Sequence, residues 1–244
     1  MEKSVAIGIN NVSKTYKAKS KYPTFALKDL TVNIFKDEIT GLIGPNGAGK
    51  TTLLKIILGF LNSDKGDIDI FGEKSDNLSV RKRIGYQPDM QYISKSVNVE
   101  SFLKINAHLA GIRNTETEIR YLLESFHLTS ASRKNLQSLS RGMRQKVEII
   151  QAFLGTPELL IFDEPTAFLD PPSVFELRDF IETKKRNGIT ILFSSHNLTE
   201  VEKICDRVLF INDGAIIGDY DMQKMEPGFL EDSFRKFKDE RISL

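Results

Sequence analysis

The sequence predicts an α/β fold: a mostly parallel sheet with helices on both faces, an N-terminal antiparallel β region and an inserted helical sub-domain. Three observations carry this expectation. Gly44-Pro45-Asn46-Gly47-Ala48-Gly49-Lys50-Thr51 stands between the apolar run Ile39-Thr40-Gly41-Leu42-Ile43 and a cluster of Leu53, Leu54, Ile56, Ile57 and Leu58, which reads as strand, glycine-rich loop and helix in succession. Leu159-Leu160-Ile161-Phe162 and Ile189-Thr190-Ile191-Leu192-Phe193 are apolar runs of the kind made by parallel strands buried on both faces. From about Val99 to Leu136 there is no strand pattern, and Phe102, Ile105, Leu109, Ile119, Leu122, Leu123 and Phe126 recur at helical spacing, as in a helical sub-domain whose aromatic residues form its core.

In chain order, Val5–Ile9 and Leu30–Ile34 alternate in strand fashion and read as antiparallel pieces at the edge of a sheet. Between them a basic stretch carries Tyr16, Tyr22 and Phe25; an aromatic ring there either stacks on a base or fills an edge of the core. After the loop and its helix, Asp64-Lys65-Gly66 turns into the strand Asp67–Gly72, and Ile84-Gly85-Tyr86-Gln87 is a strand ended by Pro88. A helix from about Ser173 to Lys185 separates the two buried strands. Asn212-Asp213-Gly214 joins two strands as a hairpin, and Leu230, Phe234 and Phe237 give the tail the spacing of an amphipathic helix.

With 244 residues, 40% of them hydrophobic, the chain is large enough to bury a core. Its 34 Lys+Arg against 33 Asp+Glu leave a net charge of +1, which gives no electrostatic case for nucleic acid or an anionic membrane surface. No apolar run approaches the ~20 residues of a membrane helix, and no signal-peptide pattern opens the chain, so a soluble, unexported protein is expected. The single cysteine, Cys205, fits a reducing compartment, and its helical spacing with Val201 and Val208 assigns it to the core rather than to thiol chemistry.

The loop has the spacing Gly, four residues, Gly-Lys-Ser/Thr. Its glycines allow consecutive backbone N–H groups to turn inward at a helix N-terminus, making a concave nest that favours a polyphosphate. Lys50 supplies a cation for the β- and γ-phosphates and Thr51 a hydroxyl for Mg²⁺. Ligands of open parallel sheets gather beyond the carboxyl ends of the strands. Asp163 is placed there to hold Mg²⁺, and Glu164 to accept a proton from an attacking water. His196, beyond another strand end, points to the same crevice, either as a hydrogen-bond donor to a terminal phosphate or as a polar cap. His108 and His127 have no companions and no assigned chemistry.

Leu139-Ser140-Arg141-Gly142-Met143-Arg144-Gln145-Lys146 resembles the signature motif of ATP-binding cassette (ABC) transporter ATPases, usually Leu-Ser-Gly-Gly-Gln. The order of phosphate loop, Gln87, signature, Asp163-Glu164, Asp170 and His196 follows that family's order over nearly the whole chain. The resemblance implies a P-loop NTPase core, with residues 1–244 forming one ABC ATPase domain. Residues 1–86 and 159–220 are then the nucleotide-binding core with its antiparallel region, 87–158 the glutamine loop, helical sub-domain and signature helix, and 221–244 a C-terminal amphipathic helix. It further implies a head-to-tail dimer, either a homodimer or a pairing with a second cassette, with ATP between the phosphate loop of one chain and the signature of the other. Ser140 and Gly142 hold the γ-phosphate across the interface, and Thr52 binds the α-phosphate. Gln87 senses Mg²⁺ and the attacking water, Glu164 is the general base, and His196 the γ-phosphate switch residue. Asp170 belongs to the loop linking the two sites, and Tyr16 is the adenine-stacking residue, with Tyr22 as the other choice.

Arg141 and Met143 depart from the usual signature; the Arg keeps the backbone N–H and adds a cation, whereas the Met loses a polar contact. This signature, followed by Arg144-Gln145 and a tail with Leu230-Glu231-Asp232 and Phe234, is similar to cassettes of ABC-2-type exporters. The implied activity is ATP hydrolysis coupled to transport through a separately encoded membrane permease. That places the chain at the cytoplasmic face of the membrane. Soluble ABC ATPases of repair or translation, and ATP-binding regulatory subunits, are the other readings.

Overall fold

A computed structural model describes residues 3–16, 24–88 and 97–242. The first strands, β1 (Val5–Tyr16) and β2 (Thr24–Phe35), are followed by β3 (Ile39–Ile43) and α1 (Lys50–Ile57). Next come β4 (Lys65–Ile70), β5 (Glu73–Lys74), α2 (Leu78–Arg81) and β6 (Ile84–Gln87). Three helices follow, α3 (Val99–Leu109), α4 (Glu116–Ser125) and α5 (Arg141–Phe153). The chain continues through β7 (Leu159–Asp163), α6 (Pro171–Arg186), β8 (Thr190–Ser195), α7 (Leu198–Ile204), β9 (Arg207–Asn212), β10 (Ala215–Asp221) and α8 (Phe229–Ile242).

The main sheet has the order β10-β9-β3-β8-β7-β6, parallel from β9 to β6, with β10 antiparallel. The N-terminal strands form the expected antiparallel region, with β2 at a sheet edge. They build a separate antiparallel sheet, β2-β1-β4-β5, in which β1 is paired on both sides. Alternation reports one buried face per strand but not which sheet a strand joins. Turn chemistry agrees with expectation at the β9–β10 hairpin, where Asp213 and Gly214 both have positive φ, the requirement of a tight two-residue turn matching strand twist.

The main sheet divides two apolar cores, and its strands read alternately into each. On β7, Leu160 and Phe162 face the core shared with α3 to α8, whereas Leu159 and Ile161 face the core shared with α1 and the antiparallel sheet. That two-sided burial is the cause of the unbroken apolar runs. The helical segment packs onto the sheet through Phe153, whose ring lies 5.5 Å from Phe162 and 4.6 Å from Phe180. Helix α5 approaches β6 so closely that a Cβ on Gly85 meets the Ala152 carbonyl at 1.9 Å. Cys205 is buried, with Cβ space at Gly41 closed by its Sγ and by Val201; burial pushes its thiol pKa up, in keeping with packing rather than chemistry. Among the described residues, no helix is long and apolar enough to cross a membrane.

Candidate nucleotide site

The loop Gly44–Gly49 leaves the carboxyl end of β3 and enters α1, as the sequence requires. Gly49 is the N-cap of α1, with φ 111° and no side-chain cap, so no side chain competes for the first-turn amides. A Cβ at Gly44 would meet the Ile211 carbonyl at 2.1 Å, so only glycine lets the loop lie this close to β9. The hairpin beyond β9 braces the loop from behind, Gly214 donating its N–H to the Ala48 carbonyl at 2.9 Å.

Lys50 is buried and donates to the Gly44 carbonyl at 2.7 Å. Burial lowers its pKa, while Glu164 and Asp163 oppose that shift. The Thr51 hydroxyl lies 3.4 Å from the Asp163 carboxylate. Asp163 is buried at the end of β7 and accepts the Ser194 hydroxyl at 2.6 Å. The next residue, Glu164, has φ 54°, a left-handed conformation that costs a non-glycine residue about 1–3 kcal/mol. Several contacts hold it there. Its N–H donates to the Ser194 carbonyl at 3.1 Å, and its carboxylate meets His196 Nδ1 at 2.8 Å. His196 itself is largely exposed.

A cavity of about 310 Å³ joins these parts; it is lined by Tyr16, Phe25 and Ala26, by the loop from Pro45 onward with Thr51 and Thr52, and by Asp163 and Glu164. Tyr16 and Phe25 are both exposed and stand on neighbouring strands, Phe25 opposite Thr15. Either ring is available to a base, and Tyr22 lies outside the described residues. Gln87 is not among the lining residues. It is fully buried on edge strand β6, beside Phe162, and donates to the Pro88 carbonyl, while among the described residues its Oε1 has no partner. That orphaned acceptor is a buried polar atom of the kind an ion, a water or a strand movement satisfies.

Ser140, Gly142 and Asp170 also lie apart from the cavity and form a second cluster. Ser140 caps α5, its hydroxyl accepting the Met143 N–H at 3.2 Å. Asp170 caps α6 by accepting the Ser173 N–H at 3.3 Å, and its carboxyl is held below the ordinary range by the Ser173 side chain first and by that N–H as a smaller contribution. A Cβ on Gly142 would lie 2.8 Å from the Phe168 carbonyl. One departure from the family pattern lies at this point: the Arg141 guanidinium is 5.6 Å from the ring of exposed Phe168, within cation–π range.

A strand, nest and helix, with two acids at the end of β7 one strand away across β8, define a P-loop nucleotide-binding protein. The sequence model described as ABC transporter matches residues 27–167, and the chain belongs to that family. An uncharacterized ABC transporter ATP-binding protein of Nostoc sp. is 35% identical over 196 residues, 79% of this chain and 58% of that protein. The lantibiotic transport ATP-binding protein SrtF of Streptococcus pyogenes is 35% identical over 209 residues, 86% of this chain and 88% of SrtF. The chain thus spans less than two thirds of some relatives and most of others. The solved structure of an ATP binding subunit of an ABC transporter matches with a TM-score of 0.80 and 30% identity, over 96% of this chain and 93% of that one. A dimeric bacterial ABC transporter cassette shares the fold, with a TM-score of 0.83 and 22% identity over 90% and 100% of the two chains.

Ser194 is a site-forming residue that sequence reasoning passed over, whereas Phe25 was among the aromatic residues it named. Ser194 was visible as a polar residue ending an apolar run beside His196, but its link to Asp163 spans 31 positions and leaves no local pattern.

Proposed function

We propose that the chain binds ATP and hydrolyses it to drive an ABC transporter, working as a head-to-tail pair of cassettes against a separate membrane permease. The observation that carries this reading is the cavity in which the phosphate loop faces Asp163 and Glu164. The α1 N-terminus and Lys50 bind and neutralise the phosphates. Thr52 reaches the α-phosphate, and Tyr16 or Phe25 stacks on the base. Thr51 and Asp163, whose oxygens lie 3.4 Å apart, would hold Mg²⁺, and Gln87 Oε1 would offer a further oxygen. When bound, the ion supplies charge neutralisation at the β- and γ-phosphates.

Glu164 takes the proton of the attacking water as its oxygen bonds to the γ-phosphorus and the bond to the β–γ bridging oxygen breaks, giving ADP and phosphate. His196 orients that carboxylate and donates to the γ-phosphate. Ser140 and Gly142 complete the site of the opposite chain, and Asp170 lies in the loop between sites. The name of SrtF and the Leu-Ser-x-Gly-Met signature support an exporter, and the signature supports the ABC-2 type. Replacing Glu164 by Gln is expected to leave ATP binding intact and lower hydrolysis by about 10²- to 10⁴-fold, measured as phosphate release. Wild-type turnover in that variant excludes Glu164 as the base.

A further inference from the structure

Gln145, in the second turn of α5, is buried at 4% exposure in a position where polar side chains need partners. Its Nε2 donates to the Pro165 carbonyl at 3.1 Å and to the Glu164 carbonyl at 3.4 Å. Glu164 is thereby pinned at three points from three elements. Its amide is held by Ser194 of β8, its carboxylate by His196 beyond β8, and its carbonyl by the Ala167 N–H of its own loop at 3.1 Å and by Gln145, which ties that loop to α5. The same face of α5 touches this loop again at Gly142, where the Phe168 carbonyl occupies the space of a Cβ.

We propose that Gln145 is a positioning residue for hydrolysis: it fastens the backbone of Glu164 and Pro165 to α5, so the direction of the Glu164 carboxylate is set by the helix that begins at Ser140. The inference rests on the reading of Glu164 as the base. A non-glycine residue in a left-handed conformation keeps it only while its surroundings hold it. The Gln145 amide is the one side-chain donor among the described residues that reaches the Glu164 carbonyl. Loss of that donor lets the turn relax, and the carboxylate moves relative to the water it must deprotonate. A misplacement of about 1 Å is enough to cost a large factor in rate. Binding of ATP, through the phosphate loop and the strand end, does not involve Gln145.

The test uses the full chain with Gln145→Met, which keeps an unbranched side chain of similar volume but has no donor, and Gln145→Glu, whose carboxyl donates only when protonated. The Met variant is expected to lose roughly 10- to 100-fold in kcat with an unchanged Kd for ATP. Gln145→Glu is expected to lose activity at neutral and alkaline pH, and its rate relative to wild type is expected to climb as the pH falls. A Met variant with wild-type kcat overturns the proposal. So does a Glu variant reduced by the same factor at every pH, which marks a structural role; that second measurement decides if the Met variant does not fold. Glu164→Gln, assayed alongside, separates the two ideas. Normal turnover in Glu164→Gln means the base is misassigned, whereas an inactive Glu164→Gln beside a fully active Gln145→Met means only the positioning role is wrong.

Discussion

At the scale of single residues, the site keeps a charge that burial disfavours. Lys50 is enclosed by the loop it serves, and burial lowers its pKa against the pull of Glu164 and Asp163. A lysine whose folded pKa lies below its ordinary value binds its proton more weakly when folded. The resulting stability deficit is present at neutral pH and disappears as pH rises through the folded value towards the ordinary one. Replacing Lys50 by Met therefore removes a buried cation as well as its hydrogen bond to the Gly44 carbonyl. We expect ATP affinity to fall by about 10- to 100-fold, as for a lost charge-assisted hydrogen bond, while the melting temperature of the ATP-free chain at neutral pH stays within a few degrees. A large fall in melting temperature means that Lys50 is a structural tie. The residues around it were legible to different degrees. The loop glycines, Lys50 and the Asp163-Glu164 pair announce themselves by spacing and by their place at the end of an apolar run. Gln145 and Ser194 do not, because their partners lie some 20 and 30 positions away, and a polar residue inside a helix or at a strand end is locally ordinary. Gln87 was legible as a strand-end residue but not in its buried setting outside the cavity lining.

Among the elements, α8 shows how a helix read from its periodicity acquires a place. Leu230 is completely buried, and the Phe234 ring lies 5.7 Å from Phe210 of β9. Its first turn is held by a residue of α7: Glu202 accepts the N–H of Leu230 at 2.8 Å and of Gly228 at 3.2 Å. A carboxylate at a helix N-terminus satisfies two orphan amides and complements the dipole. The amphipathic spacing of Leu230 and Phe234 was enough to foresee the helix; that a glutamate on another helix caps it was not, since a cap supplied from 26 positions upstream follows no local rule. Replacement of Glu202 by Ala is expected to cost about 1 kcal/mol, read as a lower denaturant midpoint and faster amide exchange in α8, with ATP affinity retained. Replacement of Leu230 by Ala is expected to cost more, about 2–5 kcal/mol. If the midpoint of the Glu202 variant does not move, the cap is a passive contact. The antiparallel sheet carries the complementary lesson: alternation in β1 and β2 identified strands and their buried faces, while their assignment to a sheet of their own depended on β4 arriving from the far side of α1.

Over the whole molecule, the parts that the proposed chemistry requires stand on two separate surfaces. The cavity gathers the phosphate loop, Tyr16, Phe25, Asp163 and Glu164, while Ser140, Gly142 and Asp170 are absent from its lining. In the proposed head-to-tail pair, a nucleotide held on the loop side of one chain would meet the α5 N-terminus of the other. Within each chain, Gln145 ties that same helix to the Glu164 backbone. Closing α5 of one chain on the nucleotide of the other would then act on the first chain's own carboxylate, so each site influences its opposite. Two consequences separate this arrangement from a self-sufficient monomer. Hydrolysis per chain is expected to rise with chain concentration and then level off, with a Hill coefficient for ATP that exceeds one and is bounded by the two sites of the pair. Glu164→Gln, which binds ATP without consuming it, is expected to accumulate as a dimer in sedimentation only when ATP is present. Gln145→Met is expected to form that dimer as readily, yet with a Hill coefficient moved towards one, because the tie between the helix and the carboxylate is cut while the interface is kept. A rate per chain that does not change with dilution, together with ATP-bound Glu164→Gln sedimenting as a monomer, establishes that one chain holds a complete site.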